Sequence, residues 1–166
     1  MTVTISLRAV RYAGLVGMSC VALFLVWLWR PERQVRRHTE NLLRAVEHKN
    51  WTAAASFIGS DYRDQWGDDR ARVLDRMREG FRYLRGIKLT AFNVSVHGQH
   101  RRAEWYGRIW VDCGPDEISE SVKQEVNSLP TPFQLEWQRF SRRPWDWALV
   151  GVRNSALQIP AEVYQP

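Results

Sequence analysis

Residues 132–153, PFQLEWQRFSRRPWDWALVGVR, constrain this chain more than any other stretch. Two runs rich in aromatic and β-branched residues flank a short basic segment containing proline. That pattern reads as an antiparallel hairpin. The loop length then decides which side chains are buried. A four-residue loop at 141–144 sets Arg139 opposite Asp146 and groups Phe133, Leu135 and Trp137 with Ala148, Val150 and Val152. A loop one residue longer groups the same three with Trp147 and Leu149 instead, because a one-residue slip exchanges the faces of a strand. The pairing of Arg139 with Asp146 favours the shorter loop, which leaves Trp145 and Trp147 outside beside Phe140.

The N-terminus follows a different rule. Residues 12–29, YAGLVGMSCVALFLVWLW, carry no charge. As a helix they would extend about 27 Å at about 1.5 Å per residue, close to the hydrocarbon thickness of a bilayer. Tyr12 stands at one end, Trp27 and Trp29 at the other, where amphipathic rings favour the headgroup level. Arg8 and Arg11 flank one side, and Arg30, Arg33, Arg36 and Arg37 the other. The apolar run ends in Trp-Leu-Trp-Arg, which lacks the small residues of a signal-peptide cleavage site. The expectation is a tail and single transmembrane anchor over residues 1–30, with the lipid bilayer as a partner. That makes the chain a single-pass membrane protein of bacterial inner-membrane type. Positive-inside counting and the short N-terminal tail argue for opposite orientations, so the side of the C-terminal domain stays open. Cys20 falls in the anchor and Cys113 in the remainder, so no disulfide is expected within the domain.

Beyond Pro31, Val35, Leu42, Leu43 and Val46 form one helical stripe to about residue 48. Asn50 caps a short helix over 51–58. A polar connection at 60–67, SDYRDQWG, carries Tyr62 and Trp66, and Asp68 or Asp69 caps a third helix whose apolar face is Val73, Met77, Phe81 and Leu84. Arg70, Arg72, Arg76, Arg78, Arg82 and Arg85 are spread around that helix rather than gathered on one face. Despite a formal net charge of +6, this distribution argues against nucleic acid.

Strands at 87–97 and 100–112 flank Gly98-Gln99, with glycine where a type II′ turn needs it. That turn predicts one face of Phe92, Val94, Val96, Ala103, Trp105, Ile109 and Val111. The opposite face collects Asn93, Ser95, His97, Glu104, Tyr106, Arg108 and Trp110. Residues 113–131 make an excursion with a short helix, capped by Ser119 and stopped by Pro130.

This order of elements, with QVRRHTENLLRAVEHKNWTAAASFI at the start, SDYRDQWG before the third helix and LEWQRF…WDWALVGV at the close, resembles the nuclear transport factor 2-like (NTF2-like, SnoaL-like) superfamily over about residues 32–155. The resemblance implies an α+β cone, with helices packed in a curved antiparallel sheet. The expected domains are 1–30, an NTF2-like unit at 31–160, and a tail at 161–166. Because the scaffold hosts both enzymes and assembly domains, it does not supply a reaction.

Sequence chemistry adds no catalytic residue, metal-ligand spacing, cofactor motif or phosphate loop. Tyr62, Trp66, Trp105 and Phe92 are the candidates for lining a cone pocket. Trp110, Phe140, Trp145 and Trp147 are the candidates for an exposed aromatic interface. The expected function is a membrane-anchored, non-catalytic module that meets itself, as a homodimer, or an envelope protein through an exposed sheet face. The alternative is a small-molecule binding protein or an isomerase- or hydrolase-type enzyme using the cone.

Overall fold

Pro31 opens the helix around which the domain is built. Its missing N–H needs no partner in a first turn. The computed structural model describes residues 7–157, apart from the side chains of 7–13, 26 and 28. Helix α1 (Leu7–Leu28) precedes α2 (Pro31–Glu47), α3 (Trp51–Phe57) and α4 (Arg70–Gly80). Strands β1 (Lys88–Gln99) and β2 (Arg102–Asp112), helix α5 (Glu117–Asn127), and strands β3 (Phe133–Arg139) and β4 (Trp147–Arg153) follow. The strands form one antiparallel sheet in the order β1-β2-β3-β4.

Helix α2 buries Val35, Thr39, Leu42, Ala45 and Val46 on one stripe against the sheet. Asn50 caps α3 by accepting from Ala53 N at 3.0 Å, and Asp69 caps α4 by accepting from Arg72 N at 2.9 Å. The cap of α5 is Asp116, not Ser119. Asp116 Oδ1 accepts from Ser119 N at 3.0 Å and Oδ2 from Ser119 Oγ at 2.7 Å, and Ser119 itself is buried. The core joins Val35, Leu42, Ala54, Ile58 and Tyr62 to Trp105, Leu135, Trp137, Trp147 and Leu149. A smaller cluster of Leu84, Ile87, Val111 and Cys113 lies under α5. Residues 58–65 run along β4, with Gly59 N, Arg63 N and Gln65 N donating to Leu149 O, Val150 O and Val152 O.

Three sequence expectations about the hairpins are corrected. The β1–β2 turn is His100-Arg101, two residues beyond Gly98-Gln99, with His100 at φ 52°. Gly98 serves a close approach instead: a Cβ there would sit 2.9 Å from Pro31 Cβ. The turn moved by an even number of residues, so inward and outward sets near it are unchanged.

Phe92 does change sides. Phe92 pairs with Arg108 and Ser95 with Tyr106, so β1 holds one extra residue in between, and Asn93 adopts φ 52°. The bulge reverses the alternation. Phe92 emerges on the outer face, 37% exposed, rather than inside the cone.

In the closing hairpin Arg139 pairs with Trp147, and Phe140 N donates to Asp146 O at 3.1 Å. The loop therefore spans 141–145, the longer of the two alternatives, and Trp147 is inside at 4% exposure rather than on the surface. Its indole N–H is satisfied by Pro144 O at 2.8 Å, which makes burial of the ring affordable. Val150 is then an extra residue in β4, since Glu136 pairs with Gly151 and Trp137 with Leu149. Beyond that bulge Val152 returns against the core.

The transmembrane expectation is also corrected. Among the described residues no helix is long and apolar enough to cross a membrane. The single-pass and inner-membrane assignments fall with it. The side chains of Arg8, Arg11 and Tyr12, and the tail at 161–166, lie outside the described residues.

Candidate functional site

Inside the cone the space between helices and sheet is occupied by Tyr62, Trp105, Trp137 and Trp147, all buried. Trp105 is held by its place on the inward face of β2, and Trp137 by the corresponding face of β3. The imidazole of His38 meets Trp137 and Phe57 edge-on, with centroids 6.0 and 5.9 Å away. Its two nitrogens lie 2.8 Å from Gln34 O and 3.0 Å from Trp145 O, which ties the β3–β4 loop to α2. A groove of about 290 Å³ lies between α2 and β1, lined in part by Arg36, Thr39, Glu40, Leu43, Val94 and Trp105. Thr39 Oγ1 is buried there with no hydrogen-bond partner among the described residues.

The connection between α3 and α4 forms a clasp. Asp64 Oδ1 accepts from Trp66 N at 3.0 Å and from Asp68 N at 2.9 Å, and Oδ2 receives the Tyr62 hydroxyl at 3.4 Å. Burial, reinforced by the Asp64 charge, pushes the Tyr62 phenol far above its usual range. Burial also raises the Asp68 carboxyl, against the pull of Arg76 at 2.8 Å. Trp66, half-buried, donates through Nε1 to Leu157 O at 3.2 Å. Tyr62 and Trp66 thus come together, but their polar atoms are spent on the chain itself. Both oxygens of Asp64 are used, and Asp68 is ion-paired. The clasp secures the outer edge of β4 rather than presenting an acid or base to a ligand.

On the outer face of the sheet, Phe92 and Trp110 are diagonal neighbours, since Phe92 pairs with Arg108 and Thr90 with Trp110. Trp110 is 50% exposed. Arg108 is held in place by donating to Pro130 O at 2.6 Å. Further along the face Tyr106 donates to Glu104 at 2.6 Å and meets His97 edge-on, while Glu136 pairs with Arg153 at 3.0 Å. The hydrogen bond to Glu104 raises the Tyr106 phenol.

Phe140 and Trp145, 44% and 54% exposed, do not join Trp110. Arg139 N donates to Arg101 O, so Phe140 follows the end of β2 that begins at Arg102. Trp110 stands near the other end, roughly 26 Å away at about 3.3 Å per strand residue. The single aromatic face expected from sequence is therefore two separate patches, and Trp147 belongs to neither. Phe92 is the surface residue that alternation missed. Asn93, tolerant of the left-handed conformation, was its only local signal. Among the described residues no group of three or more His, Cys, Asp or Glu is placed to hold a metal ion.

No family model and no curated protein matches the sequence. Solved structures do resemble the fold. Bd1075 of Bdellovibrio bacteriovorus superposes with a TM-score of 0.58 at 5% identity over 75% of this chain, which spans only 41% of that protein. A CaMKII hub from S. rosetta aligns with a TM-score of 0.54 at 16% identity, covering 74% of this chain and 93% of the hub. A candidate dehydratase of the NTF2-like family from Streptomyces avermitilis gives 0.54 at 16% identity, over 72% and 91%. Likeness at such identities establishes architecture and nothing about activity. The four-stranded antiparallel sheet with its packed helices is an α+β fold of the NTF2-like kind.

Proposed function

We propose that the chain is a non-catalytic NTF2-like interaction module that pairs with a second copy of itself through the outer face of its sheet. The observation that carries this reading is the exposed pair Phe92 and Trp110, brought side by side by the β1 bulge. Large aromatic rings left on a surface beside an arginine, here Arg108, have the composition of an interface core. The packed interior supports the same reading, because Trp105, Trp137 and Trp147 fill much of the space between helices and sheet. A hub and a candidate dehydratase share the fold, so the fold itself favours neither class.

Sedimentation velocity of the full chain tests this. The wild type is expected to sediment as a dimer, and Phe92→Ser/Trp110→Ser as a monomer with an unchanged circular dichroism spectrum. A wild type that stays monomeric at high concentration, or a dimer indifferent to the double variant, would sink the proposal.

The groove beside Thr39 favours a second reading, a small ligand with an apolar body and one polar group for the buried hydroxyl. Its volume lies near the low end of ligand pockets, about 300–1,000 Å³. A fragment screen by NMR decides it: shifts at Thr39, Leu43 and Val94 that vanish in Thr39→Val support a ligand, and a silent groove removes that reading.

A further inference from the structure

At the end of the domain where α2 begins, three separate elements converge. The start of α2 meets the tip of the β1–β2 hairpin, where Pro31 and Glu32 pack on Gly98. That hairpin tip meets the end of β3, just before the β3–β4 loop, through Arg139 N and Arg101 O at 2.8 Å. The loop is tied back to α2 through Trp145 O and His38. This convergence gathers Arg30, Arg33 and Arg37 from α2 and its cap, Arg101 and Arg102 from the turn, and Arg142 and Arg143 from the loop. All are exposed. Among the described residues no ion pair engages any of them. Glu32, Glu40 and Asp146 are acids on the same elements, fewer than the seven arginines. Phe140 and Trp145 are exposed among these arginines, and Trp29 is exposed immediately before Arg30.

We propose that this end is a docking surface for an anionic lipid surface, gripped by the arginines at headgroup level with Phe140 and Trp145 seated among the headgroups. Charge complementarity selects a polyanion. The interleaved aromatics select lipid, because tryptophan rings, half apolar and half polar, favour the boundary between headgroups and acyl chains. The arginines stand on two loop tips and on the first turns of α2, and the contact is peripheral, requiring no segment that crosses the bilayer.

Flotation of the full chain with vesicles tests it. One set contains equal parts phosphatidylglycerol and phosphatidylcholine, the other phosphatidylcholine alone. The chain is expected to float with the anionic set and to be released as salt shortens the screening length. Replacing Arg101, Arg102, Arg142 and Arg143 together by Ser should weaken flotation about tenfold or more, since each basic residue near such a surface contributes severalfold. The matching quadruple Lys variant should retain it, and circular dichroism on both variants separates lost binding from lost fold. Equal flotation with neutral vesicles, indifference to the Ser substitutions, or displacement by duplex DNA at matched charge would each overturn the assignment, the last in favour of nucleic acid.

Discussion

The indole of Trp105 lies across the backbone of Gly107, two residues further along the same inward face of β2. A Cβ at Gly107 would stand 2.5 Å from Cη2 of the ring. Trp105 is buried, with the groove beside Thr39 on one side, so relief of the clash requires the ring to leave its packed position. Gly107→Ala is therefore expected to lower stability by about 1–3 kcal/mol, the usual penalty for overpacking a core. Gly80→Ala, where a new Cβ meets nothing within 4 Å, is the control and should be neutral or slightly stabilising. Urea denaturation of the two variants measures the difference.

The two loop tryptophans should separate cleanly. Trp147→Ala removes a buried ring and its bond to Pro144 O, a loss of about 3–5 kcal/mol. Trp145→Ala trims an exposed ring and should stay within about 0.5 kcal/mol. Similar losses at both positions would refute the five-residue loop, and equilibrium unfolding of each variant is sufficient to tell.

Asn154 is a buried polar hub. Its Oδ1 accepts from Thr131 Oγ1 at 2.9 Å, Ala156 N at 2.9 Å and Leu157 N at 3.0 Å, and its Nδ2 donates to Thr131 O at 3.1 Å. Asn154→Ala strands those partners, at a cost of about 1–3 kcal/mol. Amide exchange at Ala156 and Leu157 should accelerate more than exchange in β2. Uniform acceleration would mean that the hub does not hold the segment after β4 locally.

Tyr62 makes a prediction about alkaline pH. Its phenol is raised by burial and by Asp64, so the folded state holds the proton more tightly than the unfolded chain does. The resulting stability is fully present below the unfolded value of 10.0 and is lost progressively as pH rises above it. Tyr62→Phe should lose about 0.5–1.5 kcal/mol at neutral pH with the weak Asp64 bond, and should show less alkaline loss than the wild type. Absorbance at the phenolate band decides the point: a Tyr62 that titrates while the protein remains folded contradicts the burial.

Much of the fold was legible in the residues. Helical stripes such as Val35-Leu42-Val46, the cap Asn50 and the pair Asp68 and Asp69, of which the structure uses Asp69, are local signals, read from spacing and side-chain chemistry. So is the outward position of Trp110, whose strand alternates without interruption. Candidate site residues were less legible. Phe92 alternates with Val94 and Val96 in the sequence, yet the bulge at Asn93 puts it on the other face. The aromatic set was divided by distance along β2, which composition does not reveal.

Sequence alone determined which segments are helices, which are strands, and that two hairpins close an α+β domain, because these depend on contacts within a few residues. Tertiary structure decided the faces. Gly98 was needed beneath Pro31 and so could not make the turn, and the added residues Asn93 and Val150 re-aimed everything beyond them. A strand alternates with a period of two, so one extra residue outweighs any side chain's own preference. Whether that residue is tolerated depends on packing against partners distant in the chain. For the same reason the arginines of α2, the β1–β2 turn and the β3–β4 loop became one surface only once the chain had folded.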